Sequence, residues 1–164
     1  MPYVTAVTDR AASDIANRTS KAFFNVADWE RIYDNTEYVR GEIVTLFGPV
    51  IVFSDTISDP TVTSIPDVTI FNVLTQRIEQ LRQVALAVMP ELATVPSYGA
   101  IKHDWEAGID KNVPTYKHVN QWERIIDVIH TMIVTYTNYR VRFPRTGIAT
   151  TGAENTRLNM FRNY

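Results

Sequence analysis

Hydrophobic residues recur at three- and four-residue steps along three stretches of the chain, which is the spacing of one face of an α-helix. The clearest of these stripes contains Val119, Trp122, Ile125, Ile129 and Ile133. Together the stripes predict three long amphipathic helices, at about 26–47, 66–89 and 116–137.

Polar residues at the expected starts support two of these helices. Asn25 is a favoured N-cap, and Asp28 stands at the third helical position, where its carboxylate can bond back to the cap. Ser64 and Asp67 form the same pattern ahead of the second helix. These residues predict where each helix begins.

Shorter apolar or alternating stretches between and after the helices predict strands. They lie near 50–53, 101–105 and 139–150, and "YRVRF" at 139–143 alternates polar and apolar residues as a half-exposed strand does. Since 164 residues suit one domain, we predict a single α-rich α+β domain over 1–164.

The tetrapeptide Trp-Glu-Arg-Ile occurs twice, beginning at Trp29 and at Trp122. In both copies the tryptophan belongs to the apolar stripe of its helix, so the repeat predicts two equivalent packing helices. The glutamate and arginine of each copy fall beside the stripe, and we expect them on a polar flank.

Composition excludes several kinds of chemistry. The chain has no cysteine, which rules out disulfides, thiolate metal sites and cysteine nucleophiles. It has no phosphate-binding glycine loop and no nucleophile-elbow motif. The net charge of −2 argues against general nucleic-acid binding, and no window is apolar enough for a membrane span or a signal peptide. We therefore expect no enzymatic activity and no cofactor.

The three histidines give weak signals. His118 and His130 are twelve residues apart on one helix, or about 18 Å, so they cannot bind one metal ion. "HDWE" at 103–106 is the best local acid–base cluster, and His103 with Asp104 forms the core of a possible hydrolase or metal site. A hydrogen-bonded loop with Trp105 packed inside is the simpler interpretation.

The end of the chain is basic. Residues 139–164 contain five arginines and one glutamate, while the whole chain has a net charge of −2. Tyrosine and arginine are enriched at protein interfaces, so this segment is a candidate arm for subunit contact. Its candidate contact residues are Tyr139, Arg140, Arg142, Phe143, Arg145 and Arg157.

Two blocks of the sequence resemble a known group of phage proteins. "TDRAASDIANRTSKAFFNVADWERIYDNTEYV", 8–39, resembles a segment of tail-tip and baseplate proteins of siphophages that infect Gram-positive bacteria. "VPTYKHVNQWERI", 113–125, and "RTGIATTGAENTRLN" near the end are similar to the same group. The resemblance covers about half of the chain, and residues 44–112 lie outside it. Related folds form attachment domains of phage receptor-binding proteins.

The resemblance implies a structural protein of the virion tail tip, made in the host cytoplasm and contributing to host adsorption. It also implies a homo-oligomer, a trimer or hexamer in the ring symmetry of such tips, and contacts with other tail proteins. Two alternatives stay open. One is a phage assembly factor that does not enter the virion, and the other is a module that binds host-wall glycan through exposed Tyr98, Trp105 or Tyr116.

Overall fold

The fold is described here from a computed structural model of the chain. It describes residues 2–22, 24–49, 53, 68–95, 98–106 and 114–142, with residues 22 and 139–142 described by their backbone alone. The helices of this part are α1 (Ala12–Ala16), α2 (Val26–Phe47), α3 (Val68–Val88) and α4 (Tyr116–Arg142), with 3₁₀ turns at Ser20–Ala22 and Pro90–Thr94.

The three long helices pack against one another, each contacting the other two. Their buried faces are the predicted apolar stripes, and full burial of each large apolar side chain stabilises the fold by roughly 1.5–3 kcal/mol. The most deeply buried members include Trp29 and Ile32 of α2, Leu74 and Ile78 of α3, and Trp122 of α4.

The start of α2 follows the prediction from its sequence. The side chain of Asn25 accepts a hydrogen bond of 3.0 Å from the backbone N–H of Asp28, and the Asp28 carboxylate accepts one of 3.3 Å from the N–H of Asn25. The helix ends before Gly48, whose φ of 91° is in the left-handed region that glycine adopts without strain. Both ends are therefore set by local residues.

The starts and ends of the other two long helices differ from the prediction. α3 begins at Val68, and the predicted cap at Ser64 and Asp67 lies outside the described residues. α4 runs five residues further than predicted, to Arg142. Pro144 is the first helix-breaking residue after Pro114, and a proline disfavours helical backbone at the residue before it. The first four residues of "YRVRF", 139–142, are therefore the end of α4, and their alternation of polar and apolar residues does not mark a strand.

The prediction of an α+β fold is wrong, because the part of the chain that the structure describes is helical and contains no strand. Residues 101–105 belong to no regular element, and no strand lies beside them in the described part of the chain. Residues 139–142 are the last turn of α4. Residue 53 is not in a strand, and residues 50–52 and 143–150 lie outside the described residues.

Side chains of α3 form the hydrogen bonds to the backbone of residues 98–106 that a neighbouring strand would otherwise form. The Asn72 side chain donates to the carbonyl of Trp105 at 2.9 Å and accepts from its N–H at 2.6 Å. Glu79 accepts from the N–H of Ile101 at 3.2 Å. Because these bonds satisfy backbone groups of Ile101 and Trp105, both residues can be buried without a sheet.

Among the described residues, no helix is both long enough and apolar enough to cross a lipid bilayer.

Candidate functional site

The N-terminal segment, defined here as residues 3–10, lies in the groove between α2 and α4. Its first aromatic ring, Tyr3, stacks on His130 of α4 with ring centroids 3.8 Å apart and planes 9° from parallel. The Tyr3 hydroxyl donates to the carboxylate of Asp127 at 2.9 Å. Burial, and then this contact with Asp127, raise the pKa of Tyr3 above its ordinary range.

Two asparagine side chains hold the backbone of this segment. Asn35 of α2 accepts from the N–H of Val4 at 2.8 Å and donates to its carbonyl at 2.7 Å. Asn120 of α4 accepts from the N–H of Arg10 at 3.3 Å and donates to its carbonyl at 2.8 Å. Each amide therefore offers an extended backbone the donor and acceptor that a neighbouring strand would offer.

A group of four charged side chains, called here the charge cluster, joins the segment to both helices. It consists of Arg10, Asp28, Arg31 and Glu123. Arg10 donates to Asp28 at 2.8 Å and to Glu123 at 2.9 Å, and Arg31 donates to the same two oxygens at 2.5 Å and 2.7 Å. Two cations thus face two anions, and the cluster has no net charge.

Burial makes this arrangement energetically important. The side chains of Arg10 and Glu123 are 3% and 1% exposed. An ion taken from water loses its hydration, so removing one member of such a cluster leaves a buried charge that is no longer balanced. Burial alone would lower the pKa of Arg31, but its hydrogen bonds to Glu123 and Asp28 outweigh that effect and raise it.

Glu123 also binds the backbone of the N-terminal segment. Its second carboxylate oxygen accepts from the N–H of Val7 at 2.5 Å and from the guanidinium of Arg31 at 3.1 Å. Arg10 in turn donates to the carbonyl of Val7 at 2.5 Å. The segment is therefore fixed at Tyr3, Val4, Val7 and Arg10, and its position depends on α2 and α4 together.

The two tryptophans of the repeated Trp-Glu-Arg-Ile sequence occupy similar places beside this cluster. Trp29 and Trp122 are 1% and 0% exposed. Both contact the ring of Phe71 on α3, with centroid distances of 5.5 Å and 6.4 Å. Phe71 thus lies between the two copies of the repeat. The polar flanks are unlike: Glu30 is exposed and Glu123 is buried.

The histidine–aspartate pair of "HDWE" lies apart from the charge cluster. His103 and Asp104 are exposed, and Asp104 pairs with Lys102 at 2.6 Å, which lowers the pKa of the Asp104 carboxyl. Trp105 is buried, in edge contact with His118 and Trp122. In the part of the chain that the structure describes, no three histidine, aspartate or glutamate side chains are grouped so as to hold a metal ion.

Small surface hollows border α2. One, of about 120 Å³, continues the groove beyond Tyr3 and is lined by residues of α2 and α4 that include Tyr38, Glu42, His130 and Val134. Burial lowers the pKa of His130 despite the opposing effect of Asp127 and Glu42. Acidic, aromatic, apolar and neutral polar side chains all line this hollow.

Only part of the predicted contact arm falls in the described structure. Tyr139, Arg140 and Arg142 lie in the last turn of α4, where the backbone alone is described. Phe143, Arg145 and Arg157 lie outside the described residues. The arm as a subunit contact therefore stays a prediction.

The charge cluster is the main feature that the sequence did not predict. Asp28 was expected only to cap α2, yet it also binds Arg10 and Arg31. Glu123 was placed on a polar flank, but it is 2% exposed. A local signal existed in Asp28 and Arg31, which are three residues apart and so lie on one side of α2. The pairing with Glu123 spans 92 residues and has no local signal.

Comparison with known proteins gives no relative. No family model, no curated protein and no solved structure matches the chain.

Proposed function

We propose that this chain is a non-enzymatic structural protein of a siphophage tail tip or baseplate. In this role it contributes to the host-adsorption apparatus by assembling with copies of itself and with other tail proteins. It is made in the host cytoplasm and then enters the virion tail tip.

One observation carries the proposal. The two main blocks of sequence that resemble tail-tip proteins, 8–39 and 113–125, are far apart in the chain but supply every member of the charge cluster. Arg10, Asp28 and Arg31 come from the first block and Glu123 from the second. The stretches that resemble tail-tip proteins therefore contain the residues that fix the N-terminal segment on α2 and α4. This supports the proposal that the chain and those proteins fold in the same way.

The charges of this cluster are suited to holding structure. Each carboxylate of the cluster accepts from two guanidinium groups, and Glu123 also binds a backbone N–H. A general base or nucleophile needs an oxygen that can reach a substrate, whereas these side chains are engaged with one another and largely buried.

The glycan-binding alternative has less support. Sugar rings stack on exposed aromatic faces, but Trp29, Trp105 and Trp122 are all 4% exposed or less. Tyr98 is 5% exposed and donates its hydroxyl to the carbonyl of Arg82 at 2.9 Å. Of the three aromatic residues predicted to bind glycan, Tyr98 and Trp105 are buried and Tyr116 is half-buried.

The proposal is tested by interrupting the gene in the phage of origin and examining the particles by electron microscopy and adsorption assays. We expect tails that lack a complete tip, and restoration when the chain is supplied from a plasmid. Supplying the Glu30→Gln variant should restore tips, while Glu123→Gln should restore them poorly. Complete, normally adsorbing particles without the protein would contradict the proposal.

A further inference from the structure

The N-terminal segment is bound almost entirely by parts of the chain far from it in sequence. Apart from the bond between Arg10 and the carbonyl of Val7 and the exposed ion pair of Asp9 with Lys21, its side chains and backbone bond to α2 and α4. The segment is therefore bound as a separate peptide would be, by side chains of two helices. Nothing in these bonds requires that peptide and groove belong to one molecule.

Most of the linker between the segment and α2, residues 11–21, packs weakly. Of residues 11–21, which include α1, none has a buried side chain, and Ile15 is 51% exposed. Because little apolar surface holds these residues to the helices, moving them costs little burial free energy. Phe24 contacts Trp29 and Phe71 and so anchors the end of the linker to the helices. The thirteen residues between Arg10 and Phe24 can span up to about 45 Å when extended, which is enough to reach a neighbouring molecule.

This linker also contains a strained residue. Arg18 has φ of 51°, in the left-handed region, and it is the one non-glycine residue there in the described part of the chain. A side chain with a Cβ atom is disfavoured in this conformation. Strained hinges of this kind favour exchange of a segment between molecules, because an extended hinge relieves the strain.

From these three features we propose that copies of this chain exchange their N-terminal segments. The segment of one copy lies in the groove of a second copy, and its Arg10 completes the second copy's cluster with Asp28, Arg31 and Glu123. Every bond of the segment to α2 and α4 is kept, the exposed Asp9–Lys21 pair is opened, and Arg18 relaxes. The groove of each subunit is then incomplete without its neighbour.

The exchange builds on the assembly role proposed above, since it says how copies join. Its test uses the purified protein alone, so it can fail while the protein is still found in the tail. Conversely, if copies exchange segments but the protein is absent from virions, the exchange is supported and the proposed location in the tail tip is contradicted.

The experiment compares the full chain with Arg18→Gly and Arg18→Ala by size-exclusion chromatography with light scattering, over about a hundred-fold range of concentration. Glycine removes the strain from the closed form, whereas alanine keeps it and removes only the arginine side chain. We expect oligomers for the full chain and for Arg18→Ala. For Arg18→Gly we expect association to be weaker by about ten-fold or more.

Two results would overturn the inference. One is a full chain that stays monomeric over the whole range. The other is equal association of Arg18→Gly and Arg18→Ala, which would mean that copies join through a different surface. Both variants change one exposed residue, so folding is not at risk in either.

Discussion

Glu30 and Glu123 occupy the same position in the two copies of Trp-Glu-Arg-Ile, but one is exposed and the other is buried in the charge cluster. The difference arises because the N-terminal segment covers α4 at Glu123. The two copies of the repeat therefore have different surroundings in the fold. Substituting each glutamate in turn compares a buried and an exposed position with the same local sequence.

Glu123→Gln should destabilise the protein strongly. It keeps the size of the side chain but leaves Arg10 and Arg31 with Asp28 as their one remaining anion in the cluster. Breaking a buried ion pair in this way costs roughly 3–5 kcal/mol. The measurement is the free energy of unfolding in urea. Glu30→Gln, at the exposed equivalent position, should change it by no more than about 0.5 kcal/mol. Equal effects of the two substitutions would show that the cluster does not form.

Asn72→Ala should loosen residues 98–106. It removes both bonds to the backbone of Trp105 and leaves a buried N–H and carbonyl without partners, at a cost of about 1–3 kcal/mol. Hydrogen exchange at the Trp105 amide should become faster than in the parent chain. Asn138→Ala, an exposed substitution on α4, is the control and should leave that amide protected. If both variants exchange alike, the amide is not held by Asn72.

Stability should fall as the pH drops below 6.5. Burial lowers the folded-state pKa of His118 and His130 from the ordinary value of 6.5. The unfolded chain therefore binds protons first, and the folded state loses stability from pH 6.5 down to the folded-state pKa values. Urea unfolding on either side of pH 6.5 measures this. His130→Gln should reduce the pH dependence. A His130→Gln variant with the full pH dependence would contradict this assignment.

The tryptophan fluorescence of the folded protein should not respond to cell-wall polysaccharide. All three indole rings are buried, so a bound glycan has no indole face to stack upon. Titration with purified wall polysaccharide should leave both the intensity and the wavelength of emission unchanged, whereas unfolding in urea should shift the emission to longer wavelength. A saturable change in the emission of the folded protein would contradict this prediction and favour glycan binding as the function.

The sequence was most informative where the fold depends on neighbouring residues. The helix stripes and the Asn25–Asp28 cap follow from three- and four-residue spacing, and both are confirmed. The strand predicted at 101–105 is not formed. Backbone groups there are satisfied by the side chains of Asn72 and Glu79, whose positions no local pattern reveals.

The charge cluster could not be predicted from the sequence, because it too depends on residues that are far apart in the chain. Arg10 and Glu123 meet across 113 residues of chain, and only the packing of α2 against α4 brings them together. A glutamate beside an apolar stripe is usually exposed, as Glu30 is. One sequence has no means to show that an extended segment will cover one copy of the repeat and not the other.

The most direct test of the account is to find the protein in the particle. Virions of the phage of origin, purified on a density gradient, should be analysed by quantitative immunoblot with an antibody against this chain. We predict a band of fixed stoichiometry, at a small copy number relative to the main tail protein. Abundant protein in the lysate with none in purified particles would contradict the structural role and favour an assembly factor.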